Sequence, residues 1–301
     1  MDYKSLYAGK NNFGKILFDE KLKFHTNFGI GGPCDVFVEP ENEEELIALL
    51  KFNKENNIQT TVIGNGTNLL ATDKGVRGCL VCLSKNYDKI EIDGEHVKVL
   101  SGTALSKCAK KSFEYSLSGM EEISGIPGSV GGAIAMNAGA YGGEIKNILV
   151  SARCVDKSGQ VSEFTNEEMH FAYRHSRVFE QDLIVSSVVC KLKKGDKDKI
   201  LEKFNDYNNR RISKQPLEKK SAGSTFKRPV GSFASKLIDE CGLRGYKMGD
   251  CQVSEKHCGF IINNGEATFE EMKNFIDEVS RIVYEKTSFK LEREVKILGE
   301  E

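Results

Sequence analysis

Much is missing from this 301-residue chain, and each absence removes a class of function. No apolar run approaches the roughly 20 residues that a membrane-spanning helix needs. The amino terminus, Met1-Asp2-Tyr3-Lys4, carries no apolar signal core, so a cytoplasmic address is expected by default. Formal net charge is −1, which offers no electrostatic support for nucleic acid or an anionic membrane as partner. The nine cysteines are odd in number and scattered. Cys79 and Cys82 form a C-x-x-C inside the apolar run Val76–Leu83, where residues three apart on a strand point to opposite faces. Cys251, His257 and Cys258 lack the second pair that a tetrahedral zinc set requires. No metal is therefore expected, and the cysteines read as reduced and buried. No Ser/His/Asp nucleophile pattern, internal repeat or low-complexity tract is present, and no histidine lies in a glycine loop.

What remains is ordinary in composition, 39% hydrophobic and 29% charged, and long enough for one or two domains with real cores. Its centre is the stretch Ser124–Gly143, in which Gly125, Ile126, Pro127, Gly128, Ser129, Gly131, Gly132 and Ala133 are followed by Asn137, Gly139, Ala140 and Tyr141. Glycines at this density let the backbone approach a ligand with no Cβ in the way, and successive free N–H groups form an anion-binding concavity. A flexible linker fits poorly, because Ile126, Val130, Ile134 and Met136 want burial; a bound diphosphate is expected. An earlier loop, Gly64, Asn65, Gly66, Thr67, Asn68 and Leu69, follows the β-branched strand Thr60–Ile63. It departs from the Rossmann fingerprint, lacking the third glycine and the helix with a distal acid. It is a phosphate cradle of another kind or merely a tight turn.

The periodicities predict mixed elements. Strands are expected at Asp35–Val38, 60–63, 76–83 and 89–100, the last turned at Asp93-Gly94. Helices are expected after Pro40, over 103–117 and over 198–212, and strands at 148–155, 161–164 and 183–192. Thr165-x-x-Glu168 reads as a capping box opening a short helical segment over Met169–Ser176. Later come a helix over 235–241 stopped by Gly242, a strand over 258–263, a helix capped by Thr268 and Glu271, and a final strand over Phe289–Leu298. Without strict βαβ alternation this is an α+β chain. We expect an amino-terminal segment over 1–28, a first domain over 29–196 and a second over 197–301.

Three residues are candidates for chemistry. Arg174, in Tyr173-Arg-His-Ser176, taken without further context reads as a surface arginine on a helix. Ser224, in a small-residue loop beside cations, is a proton donor, a phosphate contact or only a turn residue. Glu294 shares one face of the final strand with Lys290, Glu292 and Lys296; that face is solvated unless it borders a ligand.

Taken together, Gly64–Leu70, Gly125–Ala133 with Asn137–Gly142, Tyr173–Ser176, Ala222-Gly-Ser-Thr-Phe-Lys-Arg-Pro229 and Leu291-Glu-Arg-Glu-Val295 resemble the UDP-N-acetylenolpyruvoylglucosamine reductase family, in the family's order and over nearly the whole chain. The resemblance implies an FAD-binding domain of the vanillyl-alcohol-oxidase/p-cresol-methylhydroxylase type, built of two subdomains, plus a smaller α+β substrate domain. It implies non-covalent FAD held by the two glycine loops, and NADPH as reductant of the enolpyruvyl ether of UDP-N-acetylglucosamine. By the same correspondence Arg174 stabilises the enolate, Glu294 helps hold or neutralise it, and Ser224 delivers the proton. Tyr173, Lys214, Lys227 and Arg228 become substrate contacts, Arg228 being an Asn in some members. Arg177-Val-Phe-Glu-Gln-Asp182 leads straight into the next strand, so the chain resembles the subgroup without a Tyr-bearing loop. A cation such as Lys214 or Arg228 is expected in that role. A monomer working on small molecules is implied. Two other readings compete: a sugar or alcohol oxidase on the same scaffold, and a non-enzymatic nucleotide-binding module. The former's relatives often attach FAD through His or Cys, and residues 124–143 contain neither.

Overall fold

Val76–Cys82 is buried at almost every position, as a strand must be when it is flanked on both sides. In the computed structural model, which describes residues 1–300, it lies within a four-stranded sheet ordered Lys15–Lys21, Pro33–Glu39, Val76–Cys82, Thr60–Ile63. The last two strands run parallel. Helix Glu43–Glu55 begins at Asn42, whose side chain accepts from Glu45 N at 2.9 Å, and three acids occupy its first turn where the helix dipole favours them. Leu46, Leu49 and Leu50 of that helix share a core with Val36, Val38, Cys79, Val81 and Tyr87.

A second sheet is antiparallel and five-stranded, ordered Val161–Thr165, Leu149–Val155, Ile184–Lys191, His96–Leu100, Ile90–Asp93. Helix Leu105–Glu114 turns Leu105, Cys108, Ala109 and Phe113 inward, and these join Val130 and Ile134 in a separate core. Helix Lys197–Lys214 adds Ile200 to it and sets Phe204 edge-on to Phe113 at 5.2 Å. Both cores belong to one compact unit comprising Met1–Phe18, Asp35–Asn65 and Gly78–Arg211.

The other compact unit comprises Asp19–Cys34, Gly66–Arg77 and the chain from Ile212 onward. Its spine is helix Phe269–Thr287, started by a reciprocal Thr268/Glu271 capping box. Met272, Phe275, Ile276, Val279 and Val283 of that helix are buried with Leu237 and Ile238 of helix Ala234–Glu240 and with Phe28 and Leu70. A small antiparallel sheet, Lys247–Met248, Cys251–Val253 and Ile261–Asn263, packs alongside. Strand Lys296–Leu298 pairs in parallel with Leu69–Ala71. The α+β class is thus observed.

Three expected elements differ. The Thr165/Glu168 box forms, with Thr165 N donating to Glu168 at 2.8 Å, yet it supports only the 3₁₀ turn Glu167–Met169. His170 (φ +50°) and Arg174 (φ +57°) take left-handed conformations, which a right-handed helix cannot include. The segment 169–176 is therefore a turn, and helix resumes only over Arg177–Glu180. The final strand is also shorter than expected: 289–295 is not a regular strand, carries a single bridge between Arg293 and Phe226, and regular pairing begins at Lys296. Likewise Cys258–Phe260 lie in a turn before strand Ile261–Asn263.

Candidate active site

In the first unit Gly64, at the start of one glycine loop, meets the other. Ser129 caps the short helix Val130–Ala135, accepting from Gly132 N at 3.3 Å. A Cβ on Gly64 would lie 2.3 Å from Ser129 Oγ, so the loops touch only because that residue has none. Beside them Gly131 N donates to Ser101 O at 2.8 Å, and a Cβ on Gly131 would lie 2.8 Å from that of Ser101. The Ser101 hydroxyl is buried and makes no hydrogen bond to protein. An orphaned donor costs about 1–3 kcal/mol. A polar ligand group at this convergence would satisfy it, and in this respect the cradle fits the diphosphate expected there.

Arg211 closes another side of the same stretch. It is 8% exposed, its guanidinium donates to Gly125 O, and its Nε has no partner. Burial lowers its pKa, opposed by neighbouring Tyr141, whose ring stacks on Tyr207 at 5.0 Å. Neither Ser101 nor Arg211 stands out in the sequence as a site residue. A signal for Arg211 existed, because it continues the inward face of helix Lys197–Lys214, where a charge needs a partner.

Arg174 is carried by a tight turn. Ala172 and His175 exchange backbone hydrogen bonds at 3.1 and 3.2 Å, with Tyr173 and Arg174 at the tip. A non-glycine residue at φ +57° costs energy that the surroundings must offset. The flanks are pinned: Ser176 Oγ donates to Ala135 O at 2.9 Å, and His170 and His175 each lie 3.0 Å from Glu180. The guanidinium rests 4.9 Å from the centre of the Tyr173 ring. Asn137 donates to Ala172 O at 3.1 Å and to Glu144 at 3.0 Å. Glu144 also pairs with Lys146 at 2.9 Å. Lys146 first, then Asn137 and the Arg174 charge, hold the Glu144 carboxyl below the usual range.

The second unit assembles the other candidates. Gly66 adopts φ +64°, and a Cβ there would sit 1.8 Å from His25 O, so only glycine allows this turn. Two residues on, Asn68 donates its side-chain amide to Glu294 O at 3.3 Å, while its own carbonyl accepts from Lys296 N at 3.0 Å. Glu294 N donates to Thr225 O at 2.9 Å, and Thr225 N to Gly259 O at 2.9 Å. Buried Thr225 also accepts from Ile261 N at 3.1 Å. Ser224 is therefore fixed between the 258–261 turn and the 292–295 segment, and its own residue stays exposed. Asn68, Ser224 and Glu294 are brought into one small extended cluster. Arg174 belongs to the other unit.

The cations fall out differently. Lys227 donates its backbone N–H to Glu292 O at 2.8 Å, and its ammonium pairs with the Glu292 carboxylate. Arg228 is exposed and stacks over Phe233 at 4.0 Å. Lys214 ends its helix in solvent.

Residues 34–165 match the family model described as FAD binding domain, and residues 215–298 the model described as UDP-N-acetylenolpyruvoylglucosamine reductase, C-terminal domain. The chain is 47% identical over 286 residues to the UDP-N-acetylenolpyruvoylglucosamine reductase of Clostridioides difficile, covering 95% of this chain and 94% of that protein. It is 46% identical to the enzyme of the same name from Alkaliphilus oremlandii, with the same coverage. The crystal structure of UDP-N-acetylenolpyruvylglucosamine reductase from Thermus caldophilus superimposes with a TM-score of 0.80 at 33% identity, over 94% of this chain and 98% of that one.

Proposed function

The chain belongs to the UDP-N-acetylenolpyruvoylglucosamine reductase family, and from that premise we propose how its residues perform the family's reaction. It is an FAD-dependent oxidoreductase that uses NADPH to reduce the enolpyruvyl ether of UDP-N-acetylglucosamine to UDP-N-acetylmuramate, a step of peptidoglycan precursor synthesis. Held by the two glycine loops, FAD would supply the hydride chemistry that links NADPH to the terminal carbon of the enolpyruvyl alkene. The chain's own groups must then hold the charge that develops on the carboxylate-bearing side and protonate the neighbouring carbon.

In our reading Arg174 holds that charge, with Glu294 assisting. Fixed donors aimed at a developing charge are the strongest catalytic lever an active site has, each worth about 10²–10³ in rate. A left-handed, doubly hydrogen-bonded turn suits this task, because the guanidinium then needs little reorganisation when charge appears. Ser224 Oγ gives the proton. Tyr173, Lys214, Lys227 and Arg228 bind the UDP-sugar, and exposed Lys214 or Arg228 takes the place of the covering tyrosine. Lys227 would have to leave its pairing with Glu292 to reach a diphosphate. Gly64–Leu69, Gly125–Ala133 and Gly139–Tyr141 would hold the flavin.

We assign 29–196 to flavin binding and 197–301 to substrate binding, limits that contain the two family-model matches, 34–165 and 215–298, whereas the compact units keep the chain up to Arg211 with the first and Gly66–Arg77 with the second. The protein works as a cytoplasmic monomer without nucleic acid. No helix among the described residues is long and apolar enough to cross a membrane.

The observation that carries this reading is the Thr225–Glu294 backbone hydrogen bond, which puts the proposed donor and the proposed carboxylate on adjoining extended segments. The test is anaerobic. Ser224→Ala should bleach its flavin with NADPH at the normal rate and recover colour with the enolpyruvyl substrate roughly 10²–10⁴-fold more slowly. Equal slowing of both half-reactions would remove Ser224 from the proton-donor role.

A further inference from the structure

Asn137 lies in the glycine-rich stretch, where a polar side chain invites assignment as a cofactor contact. Its hydrogen bonds point elsewhere. The side chain is 1% exposed, and an amide has two donor hydrogens and one acceptor oxygen. The Nδ2 group serves Ala172 O at 3.1 Å and Glu144 Oε2 at 3.0 Å, and Oδ1 accepts from Lys146 N at 3.3 Å. No donor hydrogen is left for a ligand.

The backbone explains how the residue comes to face that way. Asn137 has φ +41° and terminates helix Val130–Ala135. Its own N–H donates to Ile134 O at 3.1 Å, and Ala138 N to Ala133 O at 2.8 Å. These two bonds are the Schellman arrangement, which glycine or asparagine closes most readily. Reversal of the chain there turns the amide away from the helix and toward the 172–175 turn.

Ala172 O is the first carbonyl of the turn that carries Arg174, and it accepts both from His175 N and from Asn137. Glu144, the other acceptor of the same amide, is the carboxylate whose titration feels the Arg174 charge. One side chain thus fixes the base of the turn and restrains a carboxylate that feels the guanidinium's charge. We infer that Asn137 is a positioning residue for Arg174 and contributes nothing directly to flavin binding. The inference rests on the role given to Arg174 above.

Asn137→Gly is the informative variant, since glycine keeps the left-handed cap and removes only the amide. Asn137→Asp, equally tolerant of that backbone, keeps the acceptor for Lys146 N and places a carboxylate oxygen against Ala172 O. Both should take up FAD with an affinity within twofold of the parent, measured by flavin fluorescence quenching on the apoprotein. Both should be reduced by NADPH at the parental rate. Reoxidation by the enolpyruvyl substrate should slow roughly 10–100-fold, the scale of an ångström's misplacement of a reacting group. In a cycle with Arg174→Ala, the double variant should be no slower than Arg174→Ala alone. Weakened FAD binding, or additive losses in the cycle, would overturn the inference while leaving Arg174 in its role. Arg174→Ala reoxidising at the parental rate would remove that role and the inference with it.

Discussion

Two regions of the molecule solve opposite problems. The Gly125–Gly143 stretch must leave space, and does so by omitting side chains: Gly64 and Gly131 each stand where a Cβ would collide with a serine. The Ser224–Glu294 cluster must hold groups still, and does so with a ladder of backbone bonds from Gly259 through Thr225 to Glu294 and a buried core beneath it. A cradle tolerates little added volume, while a platform tolerates little lost packing. Arg174 shares both characters, sitting in a left-handed turn without glycine yet tied on its flanks by Ser176, His175 and Asn137. Ligand-shaped emptiness and side-chain precision are thus kept largely in separate stretches of chain.

The contrast can be broken most heavily from below the platform. Phe275 is fully buried and stacked against Tyr246 at 5.7 Å. Phe275→Ala should lower stability in urea unfolding by about 3–5 kcal/mol. Flavin content of the protein that remains folded should be unchanged; a flavin-free folded fraction would mean the cradle also depends on that core. The cradle itself should respond in the opposite way. Gly64→Ala forces a methyl onto Ser129 Oγ and should cost about 1–3 kcal/mol of local packing. We expect FAD affinity to fall tenfold or more in a fluorescence titration of the apoprotein, with far-UV circular dichroism retained. Parental affinity would show the loops able to separate.

A smaller effect sharpens the picture within the first unit. Glu43, at the start of its helix, is held by Arg153 at 2.8–3.0 Å and by Ser186 Oγ at 2.6 Å. Arg153, then Ser186, depress its pKa below the usual glutamate value. A depressed carboxylate contributes stability that is complete above its unfolded pKa of about 4.3 and fades as pH falls through the folded value. Arg153 is 45% exposed, so the ion pair is discounted for screening and the contribution set at about 1–2 kcal/mol. Glu43→Gln should therefore lower the melting temperature at pH 7 and flatten its decline below about pH 4.5. An unchanged acid limb would assign the pH dependence to other carboxylates.

Much of this was legible in residue order. The glycine loops, the β-branched strands, the Thr268/Glu271 cap and the stripe of Met272, Phe275, Ile276 and Val279 follow from local rules, and the structure keeps them. The five motifs also carried the family. Elsewhere local rules were overridden. The Thr165/Glu168 box announced a helix, yet His170 and Arg174 turn left-handed with no glycine to signal it, because tertiary bonds from Asn137 and Ser176 stabilise the turn. Ser101 looks like any strand-end serine until Gly131 is packed against it. The partners that define Asn137 lie 7, 9 and 35 residues away, beyond the reach of any short motif.

One pairing described above bears on how the molecule is made. The turn at Gly66–Asn68 leads into strand Leu69–Ala71, whose parallel neighbour is Lys296–Leu298, and Asn68 reaches Glu294 across 226 residues of chain. Closing so long a loop carries an entropic cost that grows only slowly with length, but it cannot be closed until both ends exist. On the ribosome the first glycine loop emerges well over two hundred residues ahead of the segment that anchors it, Asn68 and Glu294 being 226 residues apart. Until then it is a loop without a sheet. The geometry of its Asn68 end is settled by a distant strand rather than by the loop's own sequence.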